Sequence, residues 1–130
     1  MADSDNSHSP RSLSRVWQAF LWSMQGLRET WRIESSFRLE VYLFAVLAPI
    51  GLYLGQTGVE RFLLVGVMMA VLVVEVLNSA IEAVVDRWGP EHHALAGRAK
   101  DMGSAAVFLA QVTTVACWLL ILWPHFSEGN

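Results

Sequence analysis

Charge and crosslinking are what this chain of 130 residues has little of. Only 16% of its side chains are charged and 54% are hydrophobic, whereas soluble domains carry roughly 25% charged residues. That shortage excludes an ordinary small soluble domain and points to a lipid environment, and the mean hydropathy of +0.39 agrees. Nine basic against twelve acidic side chains give a net charge of −3, so there is no basic field with which to hold nucleic acid. The lone Cys117 can form no intrachain disulfide and has no metal-ligand spacing around it. A single lysine occurs, Lys100. There is no G-x-x-x-x-G-K-[ST] loop, no kinase-type glycine loop and no G-x-S-x-G turn. Phosphate chemistry, if present, must come from scattered acids, basic groups and a metal. The length excludes a nucleotide-binding α/β fold with a second substrate lobe.

What is present is helical periodicity and long apolar runs. Residues 1–10 read as a disordered polar terminus, without the basic and apolar regions of a cleaved signal. Over 11–31, Leu13, Val16, Trp17, Phe20, Met24, Leu27 and Trp31 repeat on one helical face, opposite Arg15, Gln18, Gln25 and Glu29. Such a helix can lie in a membrane interface or dock on a soluble bundle. Three apolar stretches follow, at about 39–55, 62–85 and 105–123. Each is long enough to span a bilayer, and the third is expected to end at Pro124. Gln56–Arg61 reads as a tight turn, and Trp88–Lys100 as a polar connector. The expected architecture is one all-α membrane domain over 11–126, a surface helix plus three transmembrane helices. Arg11, Arg15, Arg28, Arg32, Arg38, Arg87, Arg98 and Lys100 flank one side of these spans, and only Arg61 the other. The N-terminus is therefore expected in the cytoplasm and the C-terminus in the periplasm.

In the second span Glu75, Asn78, Glu82 and Asp86 fall within one narrow arc of the helix. Carboxylates in hydrocarbon are expensive unless paired, protonated or bound to a cation, so this stripe is a candidate site. The competing possibility is structural, with Asn78 and Ser79 bonding a neighbouring span. Glu34 and Glu40 stand before the first span, where Glu34 could simply pair with Arg38 four residues on. Lys100 could snorkel to the interface and Asp101 could cap the third helix. His92 and His93 are adjacent, which points their side chains apart and disfavours a shared metal. Ala99, Gly103, Ala106 and Ala110 offer small surfaces for close helix approach.

The runs Glu75-Val-Leu-Asn-Ser-Ala-Ile-Glu82-Ala-Val-Val-Asp86-Arg87 and Gly97-Arg-Ala-Lys-Asp-Met-Gly-Ser-Ala-Ala106 resemble the signature of the prokaryotic diacylglycerol kinase family. Upstream, Gly26-Leu27-Arg28 and Glu34-Ser-Ser-Phe37-Arg38-Leu-Glu40 fit the same pattern at the same separation. The resemblance implies a homotrimeric lipid kinase of the inner membrane that uses ATP and Mg²⁺ to convert diacylglycerol to phosphatidic acid. By the same resemblance Glu75 is the catalytic base, Asn78 an active-site amide, and Glu34 and Glu82 the metal ligands. It places ATP at Arg15, Trp22, Glu34, Glu82, Glu91, His92, His93, Lys100 and Asp101. It places the lipid at Arg28, Trp31, Glu40, Glu75, Ser104, Trp118 and Trp123. Trp22 stands where tyrosine is usual in the family, and Pro90 and Ala94 alter the connector. Two rivals remain open, an undecaprenol kinase of the same family and a small proton-coupled transporter.

Overall fold

The computed structural model describes residues 13–87 and 93–129, and those residues form four α-helices with no strand among them. α1 runs Leu13–Ile33, α2 Ser35–Leu54, α3 Gly58–Asp86 and α4 Ala94–Ser127. Three of them, α2, α3 and α4, are long and apolar enough to cross a membrane. The three expected apolar spans are present as helices, and each helix is longer than its apolar run. α2 begins at Ser35, before Glu40, and α3 and α4 carry their polar residues within continuous helix. Charged side chains at a helix end cost little where they reach water, so hydropathy marks the apolar middle and misses the ends.

Three expectations about boundaries are corrected. The first turn is confined to 55–57, because Thr57 caps α3 and its Oγ1 accepts the Glu60 backbone N–H at 3.1 Å. Arg61 therefore lies in the helix, where its Nε donates to the Gly55 carbonyl at 2.9 Å. The connector does not extend to Lys100, because α4 starts at Ala94 and His93 caps it, accepting the Leu95 N–H on Nδ1. Asp101 then sits two turns inside the helix and cannot act as its cap. Finally, Pro124 does not end α4, which continues to Ser127. A proline so close to a C-terminus forfeits one helical hydrogen bond, and the Pro124 carbonyl still accepts the Glu128 N–H at 3.1 Å.

α3 is the central helix, packed most extensively on α4 and next on α2, while α1 touches α2 and α3 lightly. Its buried positions are Leu64, Met68, Val71, Glu75 and Ser79, a single stripe at helical spacing. The stripe is apolar through Val71 and polar from Glu75 onward. α4 answers with buried Gly103 and half-buried Val107, Ala110, Thr114 and Trp118, again at helical spacing. Two α4 side chains also bond α3 backbone: Thr114 Oγ1 donates to the Val67 carbonyl at 3.2 Å, and Trp118 Nε1 to the Leu64 carbonyl at 3.0 Å. Among the described residues the buried apolar core is only Phe37, Ala48, Leu64, Met68 and Val71. Large apolar side chains elsewhere face outward, as on a chain whose surroundings are lipid or other helices.

Candidate functional site

The polar end of the α3 stripe gathers the acids. Glu75 is 5% exposed, the most deeply buried carboxylate among the described residues. Glu40, Glu34 and Glu82 are the acids whose charges reach it. These four acids come from two helices and from the junction before one of them. Glu75 and Glu82 come from α3, and Glu40 from the second turn of α2. Glu34 occupies the junction between α1 and α2, as the residue before Ser35. Glu40 is held by Gln111 of α4, whose amide donates at 2.8 Å. Glu34 does not pair with Arg38: the Arg38 guanidinium instead donates to the Trp31 and Arg32 carbonyls at 2.7 and 3.2 Å. Those carbonyls are left over at the end of α1, and a guanidinium one element on satisfies them.

Ser79 and Asn78 behave differently from simple helix–helix glue. The Ser79 hydroxyl donates back to the Glu75 carbonyl at 2.9 Å, within its own helix. Asn78 packs against Gly103 of α4, and its Oδ1 is buried without a hydrogen-bond donor among the described residues. A Cβ at position 103 would collide with that oxygen. Gly103 was expected to serve helix approach, and it does so inside the chain, against the amide of the polar stripe.

At the end of the stripe Asp86 accepts Lys100 Nζ at 2.6 Å, joining the last turn of α3 to α4. Asp101 and Ser104 follow on exposed faces of α4. His93 is exposed and engaged in capping. Trp88, Glu91 and His92, and the terminal residues 1–12, lie outside the described residues. Arg15 and Trp22 are exposed on α1, and among the described residues no hydrogen bond or ion pair ties them to the acids. Trp118 and Trp123 lie toward the other end of α4. The Leu64 carbonyl that Trp118 bonds is 11 residues before Glu75, about 16 Å along the helix. Arg28 and Trp31 instead line an apolar groove of about 620 Å³ between α1, α2 and α3. Its wall includes Leu72 and Val76, either side of Glu75 in the sequence, and Arg28 is its one charged lining residue. Trp31 is braced there edge-to-face on Tyr42, with centroids 5.5 Å apart.

Among the described residues no three acidic, histidine or cysteine side chains converge closely enough to cage a metal ion by themselves. Mg²⁺ is usually held by one or two carboxylates together with phosphate oxygens and water. Glu34 and Glu82 fit that demand: both are half-buried, and neither carboxylate accepts a hydrogen bond or ion pair from a described residue. Sequence reasoning missed Gln111 as the partner of Glu40, Gly103 as the seat of Asn78, and Asp86 as the partner of Lys100. Gln111 gave a signal, as the one amide in an otherwise apolar run.

Fold and site together define a chain whose described residues are helical, with three helices long and apolar enough to cross a membrane and one buried and one half-buried acid toward the end of the central one. Comparison with known proteins makes the class specific. The family model described as prokaryotic diacylglycerol kinase matches residues 21–122. The diacylglycerol kinase of Escherichia coli (strain K12) is 44% identical over 121 residues, covering 93% of this chain and 99% of that protein. Those of Haemophilus influenzae and Pseudomonas aeruginosa are each 44% identical, over 111 and 110 residues, covering 85% of this chain and 94% and 89% of theirs. The chain belongs to the prokaryotic diacylglycerol kinase family.

Proposed function

We propose that this chain transfers the γ-phosphoryl group of ATP to the hydroxyl of diacylglycerol, forming phosphatidic acid at the cytoplasmic face of the inner membrane. The observation that carries this is the ordering of acids on α3, with Glu75 buried and Glu82 half-buried about 10 Å further toward the helix end. A lipid hydroxyl lies below the headgroups and the phosphates of ATP above them, so the base belongs deep and the metal ligands shallow. Glu75 accepts the proton of the lipid hydroxyl as the hydroxyl oxygen attacks the γ-phosphorus, the bond from that phosphorus to the β,γ-bridging oxygen breaks and ADP leaves. Asn78, one turn along, orients the reacting groups. Glu34 and Glu82 would hold Mg²⁺, which when bound would neutralise charge on the phosphates. Lys100 and Arg15 bind the phosphates as fixed positive charges, and Trp22 offers a ring for the adenine. Asp101, His93, Glu91 and His92 complete the nucleotide contacts.

The lipid is assigned to the groove between α1, α2 and α3, where an apolar wall that includes Leu72 and Val76 takes the acyl chains and Arg28 and Trp31 contribute to the lining. Glu40 and Ser104 serve the headgroup region. Trp118 and Trp123 face the deeper acyl portion, in keeping with their position on the far half of α4. In this reading α1 lies in the interface with Trp17 and Phe20 stacked and exposed. Three copies associate around their apolar faces, with the N-terminus in the cytoplasm and the C-terminus outside. The small core of the single chain supports such an assembly.

Transfer of labelled phosphate from ATP in mixed micelles tests this directly, with diacylglycerol, undecaprenol and no lipid as the three arms. Label in phosphatidic acid is expected. Label only in undecaprenyl phosphate would correct the substrate, and no transfer to either lipid would overturn the kinase reading.

A further inference from the structure

The pair Lys100–Asp86 has a consequence for Glu82. Asp86 is the last residue of α3, Lys100 is the seventh of α4, and Nζ lies 2.6 Å from Oδ1 where the two helices come together. The side chains are 43% and 64% exposed, so water screens their attraction and helix packing does not depend on it. Glu82 lies one turn deeper on the same face of α3, about 6 Å along the axis. It is the next acid on that face, and a single ammonium at the mouth of the stripe pairs with one carboxylate at a time. Here it takes Asp86, and Glu82 is left without an ion pair among the described residues.

We propose that Asp86 is a positioning residue: it anchors Lys100 at the mouth of the stripe and so keeps the Glu82 carboxylate open to a divalent cation. This role rests on the reading above, in which Glu82 binds the metal and Lys100 the phosphates. With Asp86 neutral, the only lysine of the chain has Glu82 as its remaining partner on α3, and an ion pair there competes with the cation for the same oxygens. The exposure of the native pair also lets Lys100 exchange Asp86 for phosphate oxygens when nucleotide arrives, since little stabilisation is lost in separating a screened pair. Asp86 therefore acts through Lys100 and touches neither substrate.

The test is Mn²⁺ binding, followed by electron paramagnetic resonance on the full-length protein in lipid nanodiscs with a non-hydrolysable ATP analogue. Asp86→Asn is expected to weaken Mn²⁺ affinity on the order of 10-fold, as loss of an outer partner commonly does at metal sites. Asp86→Glu, which keeps the anchor, restores most of the affinity. In a Lys100→Met background the same Asp86→Asn change is expected to do nothing further, because the competing ammonium is gone. Turnover assays should show a raised Mg²⁺ requirement with kcat largely recovered at saturating Mg²⁺. Native-like Mn²⁺ affinity in Asp86→Asn, or an equal loss in the Lys100→Met background, overturns the role of Asp86. Glu82→Gln separates the two levels. If it leaves Mn²⁺ affinity unchanged, the metal assignment itself is wrong. If it weakens binding while Asp86→Asn does not, the metal assignment stands and the anchor alone is refuted.

Discussion

Substituting Gly103 by alanine distinguishes a site from mere packing. The added Cβ falls well inside van der Waals contact distance of Asn78 Oδ1, so either α4 retreats or the amide swings away. Relieving the overlap takes a shift of about 1 Å, and overpacking of this kind typically costs about 1–3 kcal/mol. Against this, replacing a mid-helix glycine by alanine returns about 1 kcal/mol of helix propensity. The net loss of stability is then small, roughly 0–2 kcal/mol. Activity is another matter, because a 1 Å misplacement of an aligned group can cost about 100-fold in rate. Gly103→Ala is therefore expected to fold and melt nearly as the parent while losing most of its turnover. Gly66→Ala is the control, since a Cβ there meets only the Phe62 ring at 3.8 Å, an ordinary contact. Turnover in mixed micelles and thermal melting, measured on both variants, decide it. Parental turnover in Gly103→Ala would refute a role for the Asn78 amide at its present position.

Other expectations follow from the same geometry. Glu34→Gln and Glu82→Gln should each weaken metal-dependent nucleotide binding sharply while preserving the fold; near-normal Mg²⁺ dependence in either removes that residue from the metal set. Chelation of divalent cations should abolish phosphoryl transfer and leave helix content unchanged by circular dichroism. Thr57→Ala removes the cap of α3 and should destabilise the protein by about 1 kcal/mol in denaturant titrations, with turnover per folded molecule unaffected. Light scattering in detergent should report a homotrimer, and a fully active monomer would contradict the proposed assembly.

The sequence made much of this legible, for reasons that differ between elements. The buried stripe of α3 follows from spacing alone, because a 3.6-residue period places Leu64, Met68, Val71, Glu75 and Ser79 on one line. The three spans were visible as apolar runs, but their ends were not. Hydropathy fails where a helix emerges into water, which is why neither the start of α4 at Ala94 nor its continuation past Pro124 was legible. Long-range pairing was hidden for a different reason. Nothing in the local sequence tells Arg38 to satisfy the carbonyls of α1 rather than Glu34, or Gln111 to reach across to Glu40. Such choices depend on the approach of two helices, and a side chain with several partners in range is decided by tertiary geometry. Gly103 lies between these cases, recognisable as a close-approach residue though its partner Asn78 was not.

The central claim is that a buried carboxylate on α3 performs the chemistry while shallower acids handle the metal. Single-turnover phosphoryl transfer by Glu75→Gln, with ATP affinity measured on the same preparation, tests it most directly. The expected result is a loss of about 10²–10⁴-fold in the chemical step, with ATP affinity and thermal stability close to the parent. Parental single-turnover rates in Glu75→Gln would contradict the claim. So would a lost rate accompanied by a collapsed fold, which would make Glu75 a structural member of the α3 stripe and nothing more.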